Sequence, residues 1–353
     1  MKKSSKMMSL VLAGAMVLSM SACGGSGTAQ TTAAPSGETA ASAESTTAAE
    51  STGDTQAAES EAAGDAVYQI GIVQLTQHPA LDAAHKGFLA ALDEAGVKYE
   101  LDDQNASGDQ SACQTIASKF ANDDKDLILA IATPAAQAMS GAETETPILI
   151  TAVTDPAESG LVDSNEKPGG NVTGTSDLTP VKEQIDLLQQ ILPEAKTVGI
   201  LYCSAESNSE IQAQIARDAI KAAGMESKDF TVSSSNEIQT VVQSMAGKVD
   251  AIYAPTDNTI AAGMPTVSMV ATEKGLPVIC GESGMVESGG LATYGIDYYQ
   301  LGYMTGQQAV RILTEGASPA DMPIEYQAID KCELTVNDDT AADLGIDVSG
   351  LTN

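Results

Sequence analysis

YQIGIVQLTQHP, at residues 68–79, and KTVGILYCSAESN, at residues 196–208, follow one pattern. In both, apolar and β-branched residues run together and then give way to polar ones, which is typical of a buried strand that ends in a loop. Two more strand-like stretches recur in the same order, at a nearly constant separation of 124 to 130 residues. They are residues 126–134 with 249–258 and residues 147–156 with 275–285. The repeat therefore predicts two lobes of one architecture.

Helical patterns separate these strands. Leu81, Phe88 and Leu92 recur at helical spacing after the first strand, with Pro79 in the first turn and Gly96 at the end. Strands that alternate with helices predict a mostly parallel sheet covered by helices on both faces, so each lobe belongs to the α/β class. The alternative interpretation is one doubly wound domain with a large insertion.

The first 66 residues differ from the rest. Residues 1–23 combine a lysine-containing start, an apolar stretch and small residues before Cys23, which indicates a signal peptide rather than a membrane span. The ending MSAC resembles a bacterial lipoprotein signal, in which a lipid is joined to the cysteine. The alternative is an ordinary cleaved signal with a chance cysteine.

Residues 24–66 contain no aromatic residue and only acidic charges, so they predict a disordered acidic tether.

The charge of the chain narrows the class of partner. The 48 acidic residues outnumber the 17 basic ones, and the net charge is −31. This balance argues against nucleic acid, whose binding needs a basic face.

The four cysteines after Cys23 show no CxxC and no metal-binding spacing. Cys203 and Cys280 lie in apolar stretches and are predicted to be buried thiols, with a disulfide as the open alternative.

The predicted lobes also locate the function. Open α/β sheets bind ligands beyond the carboxyl ends of their strands. Polar residues follow most of the predicted strands, as in AIYAPTDN at 251–258, where Asp257 and Asn258 end an apolar run. Two facing lobes would bring such residues to one cleft. Both residues are also good helix N-caps, so a purely structural role is the alternative.

Seven motifs follow one another along the body: GIVQLTQHPALDAAHKGFLAAL, ATPAAQA, ILITAVTDP, GGNVTGTSD, GILYCSAESNS, YAPTDNT and ATYGIDYYQLG. Together they resemble a known family, the substrate-binding lipoproteins of ABC importers of the tryptophan/tyrosine-binding type. The resemblance spans about Tyr68 to Pro323 and implies a type I periplasmic-binding-protein fold. That fold has two Rossmann-like lobes with parallel sheets, joined by three crossovers, that close on a ligand.

The resemblance also places the crossovers and the domain limits. Crossovers are expected near residues 174–180, 292–302 and 322–327. The predicted domains are the signal peptide 1–23, the tether 24–66, an N-terminal lobe of 67–177 with 297–322, and a C-terminal lobe of 178–296 with 323–353.

The strand ends and the resemblance together predict the ligand-binding residues. An amino acid ligand needs acidic acceptors for its ammonium, for which Asp257, Asp297 and Asp155 are the candidates. Its carboxylate needs N–H donors, which helix starts supply. Each acid also has a structural alternative as a turn, cap or hinge residue. The predicted ligand-binding residues are Thr76, Gln77, His78, Thr133, Pro134, Ala135, Thr154, Asp155, Ser207, Asn208, Asp257, Asn258, Ser283 and Asp297.

The sequence predicts a binding protein rather than an enzyme. Only two histidines occur, His78 and His85, and neither a metal-binding spacing nor a GxSxG nucleophile motif is present. No cofactor and no metal are therefore expected.

The resemblance implies a receptor that captures a small ligand and delivers it to an ABC permease with its ATPase. The expected ligand is an amino acid, and aromatic amino acids are included among the candidates. The expected location is extracytoplasmic, with the protein anchored to the membrane through lipidated Cys23. The alternatives are a sugar or nucleoside receptor of the same fold and a ligand-sensing component.

Overall fold

Two six-stranded sheets organise the protein, whose computed structural model describes residues 66–142 and 145–351. The strands of the first sheet, numbered along the chain, are β1 (Val67–Gln74), β2 (Lys98–Asn105), β3 (Leu127–Ile131), β4 (Ile148–Val153), β5 (Val172–Ser176) and β11 (Glu325–Tyr326). The strands of the second sheet are β6 (Thr197–Cys203), β7 (Glu226–Val232), β8 (Ala251–Ala254), β9 (Val278–Cys280), β10 (Ala292–Gly295) and β12 (Glu333–Val336).

Helices follow most of the strands. They are α1 (Pro79–Glu94), α2 (Gln110–Asn122), α3 (Thr133–Ser140), α4 (Val181–Ile191), α5 (Ser207–Ala222), α6 (Ile238–Met245), α7 (Asn258–Ala262), α8 (Met264–Glu273), α9 (Ser283–Glu287), α10 (Tyr298–Glu315) and α11 (Asp338–Leu344). Short 3-10 turns lie at Ser235–Glu237, Pro319–Asp321 and Ile329–Lys331. Pro79 opens α1 as predicted, and Gly96 follows its end with a φ of 70°.

The two sheets have the same strand arrangement, which confirms the predicted pair of α/β lobes. The orders are β11-β5-β4-β3-β1-β2 and β12-β10-β9-β8-β6-β7, so β1 and β6 hold equivalent positions. Neighbouring strands run parallel, except that β12 runs antiparallel to β10. The alternative of one doubly wound domain with an insertion is wrong, because the strands divide between two separate sheets.

The chain passes between the sheets three times, as the fold prediction requires. It leaves the first sheet after β5, returns from β10 to α10, and leaves again between β11 and β12. Strand β11 pairs with β5, with Tyr326 opposite Ser176. This pairing places Glu325–Tyr326 with the first sheet, on the other side of the predicted boundary at 323. The domain limits as a whole stay a prediction.

Each sheet has its own apolar core. Phe88 of α1 and Phe120 of α2 are fully buried against the first sheet. The second sheet packs one apolar cluster on each face, one around Val242 and Met245 and the other around Tyr253. Because burial of apolar surface is the main stabilising contribution to folding, each lobe is stabilised from within.

Helices α1 and α10 lie in backbone contact within the first lobe. A Cβ atom on Gly302 would lie 1.8 Å from the carbonyl oxygen of Ala84, and one on Gly87 would lie 1.9 Å from that of Tyr299. A Cβ on Gly306 would lie 2.6 Å from the Cβ of Ala91. Glycine is therefore required at these positions because the two helices approach more closely than any side chain allows.

The cysteines after the tether are all free thiols. Cys203 and Cys280 are buried, as predicted, and Cys113 is buried as well, whereas Cys332 is half-buried. Within residues 66–142 and 145–351, no helix combines the length and the apolar character that crossing a membrane requires. The predicted signal peptide, Cys23 and nearly all of the tether lie outside the described residues.

Candidate functional site

A small buried cavity, here called the central cavity, lies between the carboxyl ends of the two sheets. It has about 10 Å³ of free volume. Both lobes contribute: His78 follows β1, Asp177 follows β5, and Glu282 follows β9. The polar residues that line it are His78, Asp177, Asn208, Thr256, Asp257, Asn258, Glu282 and Tyr298. Four predicted residues, His78, Asn208, Asp257 and Asn258, are thus brought together.

Asp257 reaches the cavity, but both of its carboxylate oxygens accept backbone hydrogen bonds. Oδ1 accepts from the N–H of Ile260 at 2.8 Å, which caps α7, and Oδ2 accepts from the N–H of Cys203 at 2.5 Å. Burial raises the pKa of Asp257 to about 7. The structural role that sequence left open is therefore present, and Asp257 has little capacity left for a ligand.

Glu282 has a free oxygen instead. It precedes the predicted Ser283 and is 2% exposed. Oε2 accepts from the N–H of Gly284 at 2.5 Å, whereas Oε1 is buried without a hydrogen-bond partner. Burial raises the pKa of Glu282 to about 7. A buried carboxylate oxygen without a donor is costly, so this atom indicates a place for a donor from a ligand.

Asp177 is a functional candidate that the sequence prediction missed. The hydroxyl of Tyr298 donates to its Oδ2 at 2.8 Å, and the Thr154 hydroxyl donates to its Oδ1 at 3.2 Å. Burial raises the pKa of Asp177 to about 6. Gln212 of α5 donates from Nε2 to the Thr154 hydroxyl at 3.0 Å, which links the second lobe to the first. The predicted residue Thr154 therefore positions Asp177 and lies behind it.

A second hydrogen-bonded chain crosses the cleft at His78. Asn258 donates from Nδ2 to the buried carboxylate of Glu206 at 2.6 Å, so its Oδ1 faces His78 Nε2 at 3.3 Å. Since Oδ1 is an acceptor, Nε2 carries the proton of the ring. Burial lowers the pKa of His78, which favours the neutral imidazole.

Two larger cavities flank the central one. The outer cavity has about 260 Å³ and is lined by the predicted residues Thr76 and Pro134. The crossover-side cavity has about 300 Å³ and is lined by the predicted residues Ser283 and Asp297. The outer cavity shares Asn258 with the central cavity, and the crossover-side cavity shares Glu282 and Tyr298 with it.

The other predicted residues do not line the central cavity. Gln77 and Ser207 are exposed, and the Ser207 hydroxyl accepts from Gln137 Nε2 at 3.2 Å. Asp155 accepts from the backbone N–H groups of residues 157 and 158 and is thus a turn-capping acid. Thr133 and Ala135 are fully buried at the start of α3.

Asp297 has the structural role that was the alternative for it. Its side chain accepts from the N–H of Gln300 at 3.1 Å, which caps α10. The carboxylate is exposed and does not line the central cavity, whereas the next residue, Tyr298, does.

The lobes are closed on each other. Gln110 of α2 donates to the carbonyl oxygen of Ala205 at 2.9 Å, and Gln137 of α3 reaches the Ser207 hydroxyl. Together with the contacts of His78 and Thr154, these hydrogen bonds join the two lobes on several sides of the central cavity. Two α/β lobes joined by three crossovers and closed over a buried polar cavity define the class of type I periplasmic binding proteins.

Within that class, the chain belongs to the ABC transporter substrate binding protein family, whose model matches residues 69–350. It is 46% identical over 275 residues to a tyrosine-binding protein of Clostridioides difficile, which covers 77% of this chain and 79% of the relative. Among solved structures, it is similar to an ABC domain from Streptococcus pneumonia in complex with L-Trp. That similarity has a TM-score of 0.77 and 40% identity, over 80% of this chain and 96% of that one.

A ligand-free, open structure of a Clostridium difficile substrate-binding protein with adhesive properties is also similar, with 47% identity over 80% of this chain and 96% of that one. Its TM-score is 0.62. The chain thus superposes better on the complex with L-Trp than on the open protein, although its sequence is less similar to the former. This ranking agrees with the hydrogen bonds that hold the lobes closed.

Proposed function

We propose that the protein is the extracytoplasmic solute-binding component of an ABC importer, and that it captures an amino acid between its lobes and delivers it to a membrane permease. The observation that carries the proposal is the free carboxylate oxygen of Glu282 in a closed polar cavity at the strand ends. A cationic ammonium is the ligand group that satisfies such an oxygen best. Relatives that bind tyrosine and L-Trp support an amino acid, and an aromatic one, as the ligand.

Closure of the lobes is the step that would couple binding to transport. Each lobe has its own core, so the lobes can move as rigid bodies about the crossovers. The cross-lobe hydrogen bonds at His78 and Thr154 form only when the lobes meet. A permease with its ATPase would then recognise the closed surface, and a lipid on Cys23 would hold the protein at the membrane through the acidic tether.

The proposal contains no catalytic step. Of the two histidines, His78 has its pKa lowered by burial and is hydrogen-bonded to Asn258, and His85 lies 3.6 Å from the exposed Asp103. Neither contacts a serine or cysteine in the hydrogen bonds of the described residues. The named relatives are binding proteins, and the prediction that this chain is not an enzyme agrees with their function.

A thermal-shift screen over the twenty L-amino acids, common sugars and nucleosides tests the proposal. A ligand of the native state stabilises the protein by about 2.7 kcal/mol at a hundredfold excess over its dissociation constant. We expect tyrosine, tryptophan or both to raise the melting temperature without being consumed, as followed by chromatography of the mixture. Stabilisation by sugars or nucleosides alone would refute the amino acid assignment, and consumption of the ligand would refute a pure binding function.

Binding should become tighter as the pH rises from 5.5 to 8. Burial raises the pKa values of Asp177, Asp257 and Glu282 to between about 6 and about 7, so at pH 5.5 these carboxyls are mainly protonated and neutral. An ammonium binds the ionised form, and its binding below the pKa must expel a proton. Affinity should therefore fall about tenfold per pH unit below the pKa of the carboxylate that pairs with the ligand.

Isothermal titration calorimetry at pH 5.5, 6.5 and 8 checks this pH dependence, with buffers of different ionisation enthalpy to count the protons released. Burial lowers the pKa of His78, and any protonation of its imidazole at low pH would repel an ammonium and so act in the same direction. An affinity that is constant or rises toward low pH would contradict the role given to the buried carboxyls.

A further inference from the structure

We propose that the central cavity is an ammonium pocket that recognises the primary amine of its ligand and does not require the ligand to carry a carboxylate. This inference rests on the proposed function and specifies which part of the ligand is recognised. It predicts that the protein binds decarboxylated amines as well as amino acids.

The free hydrogen-bonding atoms of the cavity support this inference, because all of them are acceptors. Three buried side-chain atoms of the lining residues lack a partner: Glu282 Oε1, Asn208 Oδ1 and His78 Nδ1. The three residues are 2%, 3% and 8% exposed. A carboxylate oxygen and an amide oxygen accept hydrogen bonds. Because Nε2 of His78 carries the proton that faces Asn258, Nδ1 is an acceptor as well.

Three side-chain donors of the cavity already have acceptors within the protein. Asn208 donates from Nδ2 to the carbonyl oxygen of Thr256 at 3.3 Å, and the Tyr298 hydroxyl donates to Asp177. Asn258 donates from Nδ2 to Glu206. A primary ammonium offers three N–H donors and no acceptor, which is the complement of three free acceptors. A carboxylate offers only acceptors, and none of the three unpartnered atoms can donate a hydrogen bond to it.

Charge leads to the same conclusion. Three carboxyls, those of Asp177, Asp257 and Glu282, line the central cavity, and no lysine or arginine lines it or either flanking cavity. A buried ligand carboxylate would lie near like charges without a basic partner, which is unfavourable at short range in a medium of low dielectric constant. The amine is therefore the charged group that the site stabilises.

The cavity volumes fit a ligand whose amino group occupies the central cavity and whose remainder occupies the crossover-side cavity. The central cavity has about 10 Å³, close to the space that one water molecule needs, and an amino group is of that size. The crossover-side cavity shares Glu282 and Tyr298 with it and has about 300 Å³, which is enough for the rest of a small ligand. The acids Glu287, Asp297 and Glu333 also line that cavity, so it too disfavours a carboxylate.

Calorimetric titration of the purified protein with matched ligands tests the inference. The probes are L-tyrosine and L-tryptophan, tyramine and tryptamine, which lack the carboxylate, and 3-(4-hydroxyphenyl)propanoate and indole-3-propanoate, which lack the amine. We expect each amine to bind within about tenfold of its amino acid. The two propanoates, which lack an amine, should bind at least about 100-fold more weakly than the amino acids. They cannot form the charge-assisted hydrogen bonds that an ammonium donates to the Glu282 carboxylate.

A methylation series tests the three acceptors while the positive charge is kept. Tyramine, N-methyltyramine and N,N-dimethyltyramine carry three, two and one N–H on the ammonium. We expect affinity to fall about tenfold with each N–H removed. Equal affinity across the series would overturn the three-acceptor pocket, since charge alone would then explain the binding.

The outcomes separate this inference from the function on which it rests. Binding of the amino acids with a loss of more than about 100-fold for tyramine and tryptamine would overturn the inference and leave the proposed function intact. Absence of binding by both amino acids and both amines would overturn the proposed function as well.

Discussion

Replacing Glu282 with glutamine is expected to weaken amino acid binding by about 10- to 150-fold, because the charge-assisted hydrogen bond to the ammonium is lost. Glutamine keeps an oxygen that can accept from the N–H of Gly284, so the loop before α9 should retain its conformation. The amide nitrogen then takes the position of the free Oε1, and it cannot accept a hydrogen bond from the ammonium. Titration of E282Q and the unchanged protein with L-tyrosine and L-tryptophan measures the loss.

Two further variants make this prediction specific. Glu226 is exposed at the start of β7 and lines none of the three cavities, so E226Q removes a negative charge away from the proposed site and should change affinity by less than about threefold. D257N should act differently from E282Q and lower the melting temperature, because Asp257 accepts backbone hydrogen bonds from Ile260 and Cys203. Equal binding by E282Q and the unchanged protein would remove Glu282 from the site.

Replacing Gly302 with alanine should destabilise the first lobe by at least about 2 kcal/mol. The new Cβ would lie 1.8 Å from the carbonyl oxygen of Ala84, and the atom it meets belongs to the backbone of α1, which cannot rotate away. Alanine gains about 1 kcal/mol of helix propensity over glycine, so the expected loss is what remains after this gain. Helices α1 and α10 would have to move apart to relieve the contact.

Thermal and urea unfolding of G302A measure this effect. The expected fall in melting temperature is at least roughly 3–4 °C for a protein of this size. Gly170 provides the matched control, because a Cβ there meets no atom within 4 Å and its φ is ordinary. G170A should therefore unfold within about 0.5 kcal/mol of the unchanged protein. Unaltered stability of G302A would show that the two helices are less closely packed than described.

The fold could be predicted from sequence because buried parallel strands leave a clear signal. The apolar runs that became β1, β3, β6 and β8 recur with constant spacing, and helical periodicity lies between them. Strand β7, by contrast, reads ESKDFTV and lies at the edge of the second sheet, so it lacks the apolar run of a central strand. Edge strands are specified by their single neighbour more than by their own composition.

The site was harder to predict because sequence shows which residues follow strands and not which atoms are left unpaired. His78 and Asn208 were found by position alone. Asp257 was chosen as the ammonium partner, yet its oxygens are used by the backbone, a fact that depends on the turn before α7. Asp177 was missed because it lies in the stretch predicted as a crossover, and its hydrogen bond with Tyr298, 121 residues away, leaves no signal in the sequence.

The glycine contacts between α1 and α10 have a consequence for ligand capture. His78 directly precedes α1, and Tyr298 is the first residue of α10, so both cavity residues stand at the ends of a locked helix pair. Their relative position is fixed when the lobe folds. Binding of a ligand therefore does not have to include the entropy cost of ordering these two residues relative to each other. For the proposed function, this means that the first lobe supplies a preformed half of the binding site, and that entry and release of the ligand would depend on movement of the second lobe.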